Sequence, residues 1–248
     1  MITNARLKFL SSLKQKKYRW KERKFLIEGE NLLKAAIVNN IAIDEIYVAS
    51  DYEGEILPLL DNEKKLIKLP PSKMARFSTV KTPPGIMALL PFFRYNVDEF
   101  HNALRILYLE NLSDPGNTGT LIRDARAFGF DCVFISPDGC EIYNSKLLRS
   151  TAGYIFSIPV VEDVKLAILQ NYKNRGFELI SANPHAEITI EEAKCPQKAV
   201  IMLGNEPRGL SEEAEGMADI KLKIGIKEDV ESLNVASAGA IIMHWAKL

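Results

Sequence analysis

The sequence predicts an α/β protein: a parallel sheet in the C-terminal part, preceded by a smaller α/β unit. Three observations carry this. Strand-like and helix-like apolar patterns alternate along the whole chain. Runs such as "VIML" (200–203) are apolar on both faces, which suits a strand covered by helices on both sides. The chain has 248 residues, 47% hydrophobic and 26% charged, enough for one large domain or two smaller ones.

The elements follow in order. Residues 1–24 hold nine Lys or Arg (Arg6, Lys8, Lys14, Lys16, Lys17, Arg19, Lys21, Arg23, Lys24) against one acid, Glu22, in a chain whose net charge is zero. With Tyr18 and Trp20 interleaved, this segment suits a phosphate backbone and stacked bases; equally it suits a solvated helix that buries Leu7, Leu10 and Leu13. "KFLIEG" reads as a strand, "ENLLKAAIVNN" as a helix, "IDEIYVAS" as a strand and "EGEILPLLDNE" as a helix; "KKLIKL", "PSKMARFST" and "GIMALLPF" repeat the theme. The first domain is therefore 1–92. "PFFRYNVDEFHNAL" breaks the pattern, giving a linker at 93–103. The second domain, 104–248, carries strands at "RILYLENL", "CVFIS", "FSIPVV", "FELISAN", "AVIMLG" and "DIKLKI".

Composition excludes several classes. No apolar run reaches the roughly 18–20 residues of a membrane span, and the polar N-terminus lacks the apolar core of a secretory signal, so the expected location is cytoplasmic. Cys132, Cys140 and Cys195 are odd in number and form no C-x-x-C pair, so neither a disulfide framework nor a metal site is expected.

Three stretches carry chemistry. "NLSDPGNTGTLIRDARAFGF" (111–130) follows a strand and opens a helix, with Asn117 or Thr118 available as a cap and glycines that permit close backbone approach. It is neither a Walker loop nor the G-x-G-x-x-G fingerprint, and alone it is an ordinary strand-to-helix turn. "VIMLGNEPRGLSEEAEG" (200–216) ends a buried strand, where parallel α/β sheets bind ligands, and Glu206 there has no obvious packing role. "KIGIKEDVESLNVASAGAIIMHW" (223–245) opens a helix of small residues at Ser232, Leu233 and Asn234.

In this order, N-x-G-x-x-x-R, L-G-N-E-x-x-G and S-L-N-V-A resemble the three motifs of the SpoU (TrmH-like) branch of the SPOUT superfamily. The resemblance covers about 104–248 and implies S-adenosylmethionine-dependent RNA 2′-O-ribose methylation of ribosomal or transfer RNA. It also implies a parallel-sheet domain with a deep trefoil knot and a homodimer whose active site is completed across the interface. "RWKERKFLIEGENLLKAAI" is similar to the start of the small, ribosomal-protein-like substrate-binding domain of many members. Carried over by position, the resemblance assigns Leu203, Gly204, Asn205, Glu206, Gly209, Ile224, Ile226, Ser232, Leu233 and Asn234 to the methyl donor. It assigns Asn117, Arg123, Glu206, Ser232 and Asn234 to catalysis, with Asn117 holding Arg123 and Arg123 clamping an RNA phosphate. Lys14, Lys16, Lys17, Arg19, Arg23 and Arg123 are the expected RNA contacts.

The third motif departs from the commoner I-P-M-x-G: here Gly225 replaces the proline and Glu228 the glycine. A glutamate forced to positive φ would be strained, and its charge would crowd the donor. The alternative expectation is accordingly a non-catalytic, RNA-binding knotted dimer that has lost donor affinity.

Overall fold

Helices and strands alternate in the computed structural model, which describes residues 2–60 and 66–247. The first elements are α1 (Asn4–Ser12), α2 (Lys16–Glu22), β1 (Lys24–Glu28), α3 (Glu30–Val38), β2 (Glu45–Ala49), β3 (Leu66–Leu69), α4 (Pro71–Met74) and β4 (Ile86–Pro91). Then come β5 (Arg105–Leu109), α5 (Pro115–Ala127), β6 (Cys132–Ile135), α6 (Ser145–Ser150), β7 (Val160–Val161), α7 (Ile168–Lys173) and β8 (Glu178–Ala182). The chain closes with β9 (Ile188–Thr189), β10 (Ala199–Leu203), α8 (Glu212–Met217), β11 (Ile220–Lys223) and α9 (Val235–Ala246). The fold divides into two units, residues 1–93 with 143–157, and 94–142 with 158–248.

In the first unit the sheet order is β1-β4-β2-β3, with β4 antiparallel to β1 and β2, and β2 parallel to β3. Leu7, Leu10 and Leu13 are buried against Tyr47, Phe77 and Met87, so the leucine stripe of the basic segment is its core-facing side. The segment forms two helices. The turn between them is held by Arg19, which is 5% exposed and donates to the carbonyls of Leu13 and Lys14 at 2.9 Å each. This corrects the expectation of Arg19 as an RNA contact: its guanidinium is turned inward. Lys14, Lys16, Lys17 and Arg23 are exposed. Trp20 packs edge-on against Phe92, with ring centroids 5.7 Å apart.

The helix expected at "EGEILPLLDNE" is only a 3-10 turn at Leu57–Leu59, because Pro58 cannot continue a helix; its residues 61–63 lie outside the described residues, as do 64–65 of "KKLIKL". The segment 143–157 belongs with this unit, Tyr143 stacking on Phe92 at 3.7 Å and Arg149 donating to Thr79 Oγ1 at 2.8 Å.

The second unit is built on a seven-stranded sheet, order β7-β6-β5-β10-β8-β11-β9, with every pair parallel. The strands β5, β6 and β10 are buried at every position, which is why they read as unbroken apolar runs. "FSIPVV" yields only the two-residue β7, its first residue ending a 3-10 turn at Tyr154–Phe156. The short edge strand β9 was not expected. The order is interleaved: β10 enters between β5 and β8, and β11 between β8 and β9. Arg105, buried on β5, donates to the carbonyls of Ala246 and Gln197 at 2.5 and 2.6 Å, fixing the end of α9 to the sheet.

Candidate active site

Parallel strands bring their carboxyl ends, and the loops that follow, to one edge of the sheet. At the end of β5, Asn111 has φ +55°; its N–H donates to Ser136 Oγ at 2.9 Å, and Ser136 Oγ donates back to Asn111 Oδ1 at 3.1 Å. Asn205, after β10, donates through Nδ2 to the Asn111 carbonyl at 2.9 Å. Buried Glu110 accepts from the Ser211 N–H and hydroxyl at 2.7 and 2.8 Å, and Ser211 in turn caps α8. These bonds lock the loops after β5, β6 and β10 together. None of Asn111, Ser136, Glu110 and Ser211 was expected at the site, since ordinary loop polarity was the only signal.

Helix α5 starts with Asp114, which accepts the Asn117 N–H at 2.9 Å, and with Pro115, whose missing N–H costs nothing at a helix start. Asp114 is the cap, not Asn117 or Thr118. The Asn117 side chain is thereby released to bridge the other two motifs. Its Nδ2 donates to the Glu206 carboxylate, while its Oδ1 accepts from Asn234 Nδ2 at 3.4 Å. Asn234 Oδ1 also accepts the Ala236 N–H at 2.9 Å, which caps α9. One hydrogen-bonded chain thus joins all three sequence motifs.

The loop after β10 is tightly determined. A Cβ on Gly204 would fall against the Gly209–Leu210 backbone, and Gly209 itself has φ +68°. The Gly209 N–H donates to the Asn205 carbonyl at 2.7 Å, closing the turn. Behind it, Gly239 of α9 lies against Leu121 of α5 and Leu203 of β10, where any side chain would collide, so the small residues of α9 serve helix packing.

This loop forms one wall of a cavity of about 470 Å³. Leu203, Gly204, Asn205, Glu206 and Gly209 line it from β10, Ile224 and Ile226 from the segment after β11, and Ser232 and Leu233 from the approach to α9. Asn234, expected at the donor with them, is not among these walls, its side chain being turned to Asn117 and the α9 cap. Asn183 and His185, after β8, add a wall that no motif announced, as does Arg208. Asn205 Oδ1 is buried without a hydrogen-bond partner among the described residues.

Two expectations are corrected. Asn117 does not hold Arg123, which is exposed on α5 outside the cavity walls; it holds Glu206 and Asn234 instead. The reason is helical geometry: six residues at 3.6 per turn place Arg123 well round the helix from Asn117. Glu228 does not have positive φ, is exposed and stands outside the cavity walls; a Cβ on Gly225 would meet nothing. The anticipated strain and crowding are absent. Among the described residues no helix is long and apolar enough to cross a membrane, and no cluster of His, Cys, Asp or Glu has the makings of a metal site.

Comparison with known proteins agrees with this geometry. Residues 104–244 match the model of the SpoU rRNA methylase family, and residues 4–88 that of the MRM3-like substrate binding domain. The 23S rRNA (guanosine(2553)-2′-O)-methyltransferase RlmP of Bacillus subtilis is 29% identical over 241 residues, covering 97% of this chain and 95% of its own. A solved RNA 2′-O ribose methyltransferase superposes with a TM-score of 0.86 at 26% identity, covering 98% of this chain and 95% of that one. The SpoU methyltransferase AviRb of Streptomyces viridochromogenes shares the fold, with a TM-score of 0.87 at 22% identity over 98% of this chain and 97% of that one.

Proposed function

We propose that this chain, which belongs to the SpoU rRNA methylase family, transfers a methyl group from S-adenosylmethionine to a ribose 2′-hydroxyl of ribosomal or transfer RNA. The observation that carries the reading is the hydrogen-bonded chain from Asn234 through Asn117 to Glu206, which ties three distant motifs together at the wall of one cavity.

The cavity fits the donor. Its volume lies in the range of single small-molecule sites, and the glycine-bounded turn at 204–209 offers backbone groups to a close-packed ligand. The unpartnered Asn205 Oδ1 is an acceptor for a ligand N–H, and the carboxylates of Glu206 and Glu231 suit a sulfonium cation. When bound, the donor supplies an electrophilic methyl group on sulfur.

The protein's part is alignment and charge. The reaction is an in-line displacement in which the ribose oxygen bonds to the methyl carbon as the carbon–sulfur bond breaks and the hydroxyl loses its proton; no metal is required. Asn117 and Asn234 fix Glu206 and the entry to α9, and Ser232 faces the cavity beside them. Arg123 clamps the neighbouring phosphate and stabilises the oxygen as charge develops; a guanidinium holds its proton too tightly to serve as the base.

The absence of Arg123 from its own chain's cavity walls supports a homodimer in which each copy completes the other's site. The interleaved strand order supports the knotted threading that the family resemblance implies. The first unit grips RNA through exposed Lys14, Lys16, Lys17 and Arg23, and the protein works in the cytoplasm. The non-catalytic alternative loses its motive, because Glu228 neither strains the backbone nor lines the cavity.

Calorimetry with S-adenosylmethionine, alongside methyl-transfer assays, tests the proposal. Arg123→Ala is expected to abolish transfer and leave donor affinity within about twofold. Absence of donor binding at millimolar concentration would sink the enzyme reading, and full activity in the variant would remove Arg123 from the site.

A further inference from the structure

Arg208 is a cation for which the motifs assign no partner. It is the one Lys or Arg among the described residues that line the cavity, whose other charged walls are Glu206, Glu215 and Glu231. Glu206 is engaged by Asn117; Glu215 accepts from Ser181 Oγ at 3.1 Å and pairs with Lys221 at 3.7 Å. Arg208 has no hydrogen bond or ion pair among the described residues, and its side chain is exposed at the cavity wall.

Its backbone is not free to wander. The turn that carries it is closed by the Gly209 N–H on the Asn205 carbonyl at 2.7 Å, and Gly204 packs directly on the Gly209–Leu210 backbone. The stem of Arg208 therefore leaves a fixed point, which lowers the ordering cost of any anion it captures.

We infer that Arg208 binds the carboxylate of the donor's amino-acid end, a role that rests on the methyl-donor reading of the cavity. The charge pattern selects this anion. A zwitterionic amino-acid tail places its carboxylate on the guanidinium fork and its ammonium toward the neighbouring glutamates, whereas an RNA phosphate would occupy the guanidinium and bring no cation to offset those carboxylates. Carboxylate recognition also fixes the direction in which the donor lies, and hence where its methyl group points.

The test compares S-adenosylmethionine with its decarboxylated analogue on the full-length wild-type chain, on Arg208→Ala and on Arg208→Lys, with thermal unfolding to verify the fold. Wild type is expected to bind the complete donor roughly tenfold or more tightly than the analogue. Arg208→Ala is expected to bind both equally, with its affinity for the analogue unchanged, and Arg208→Lys to recover part of the difference. Persistence of the full difference in Arg208→Ala would overturn the inference, as would unchanged donor affinity together with weakened RNA binding and a flatter salt dependence, which would assign the side chain to RNA. Failure of the wild type to bind either compound would instead defeat the underlying reading of the cavity.

Discussion

At the scale of single residues, the site depends on a few positions where no alternative side chain fits. Gly204 is the clearest: its missing Cβ is occupied by the backbone of the turn that returns at Gly209 and Leu210, and backbone cannot step aside as a side-chain tip does. Gly204→Ala is expected to cost about 1–3 kcal/mol in unfolding free energy and to weaken donor binding more than proportionately, because the turn is a wall of the cavity. Denaturant titration and calorimetry check both, and a variant with unchanged donor affinity would contradict this role for the turn. Glu162 offers a pH test elsewhere in the same unit. Burial pushes its carboxyl up to about 7, Glu141 and Asp163 adding to the rise while the Ile142 N–H at 3.1 Å and Arg94 oppose it. The folded chain therefore prefers the protonated acid. Its contribution is present in full below the unfolded pKa and is lost as pH rises through about 7. Relative to wild type, Glu162→Gln is expected to be more stable at pH 8 than at pH 5, by up to roughly 3 kcal/mol, measured from denaturant midpoints of both chains at the two values; a pH dependence identical to wild type would contradict the assignment.

At the scale of elements, the paired helices α1 and α2 separate two uses of positive charge. Arg19 is turned inward onto the carbonyls of Leu13 and Lys14, whereas Lys14, Lys16, Lys17 and Arg23 face outward. Reversing those four charges is expected to weaken RNA binding and flatten its dependence on salt without lowering the melting temperature, while Arg19→Ala is expected to destabilise the unit by about 1–3 kcal/mol. Equal RNA affinity after reversal would return the segment to a solvated face. The same helices show what a sequence exposes to view. Leu7, Leu10 and Leu13 declare the buried stripe through their spacing, and β5, β6 and β10 declare themselves as unbroken apolar runs. Hydrogen bonding has no such period. Nothing local distinguishes Arg19 from Lys17; Asp114 before Pro115 was a legible cap signal, but nothing local shows that Asn117, once freed of the cap, reaches Glu206. That pairing closes a gap of 89 residues, and only the sheet order brings its partners together. The short β9 and the 3-10 turn at Leu57–Leu59 were likewise beyond reach of periodicity, one for its two residues and the other because Pro58 overrode the apolar spacing around it.

At the scale of the whole molecule, the proposed function divides the labour: substrate binding in the first unit, transfer in the second, and, on that proposal, a site completed by a second copy. Mixing two defective chains tests the last of these. Arg123→Ala and Gly204→Ala chains, each defective alone, are expected to regain roughly a quarter of wild-type activity when refolded together as a one-to-one mixture, since half the dimers then hold one intact site of two. A mixture that stays inactive would place Arg123 in its own chain's site. That the cavity exists to methylate a ribose is tested most directly by incubating the full-length chain with methyl-labelled S-adenosylmethionine and total RNA, then mapping the label. The expected result is label on a ribose 2′-oxygen, abolished in Arg123→Ala. Label on a base, or bound donor with no transfer to any RNA, would contradict it.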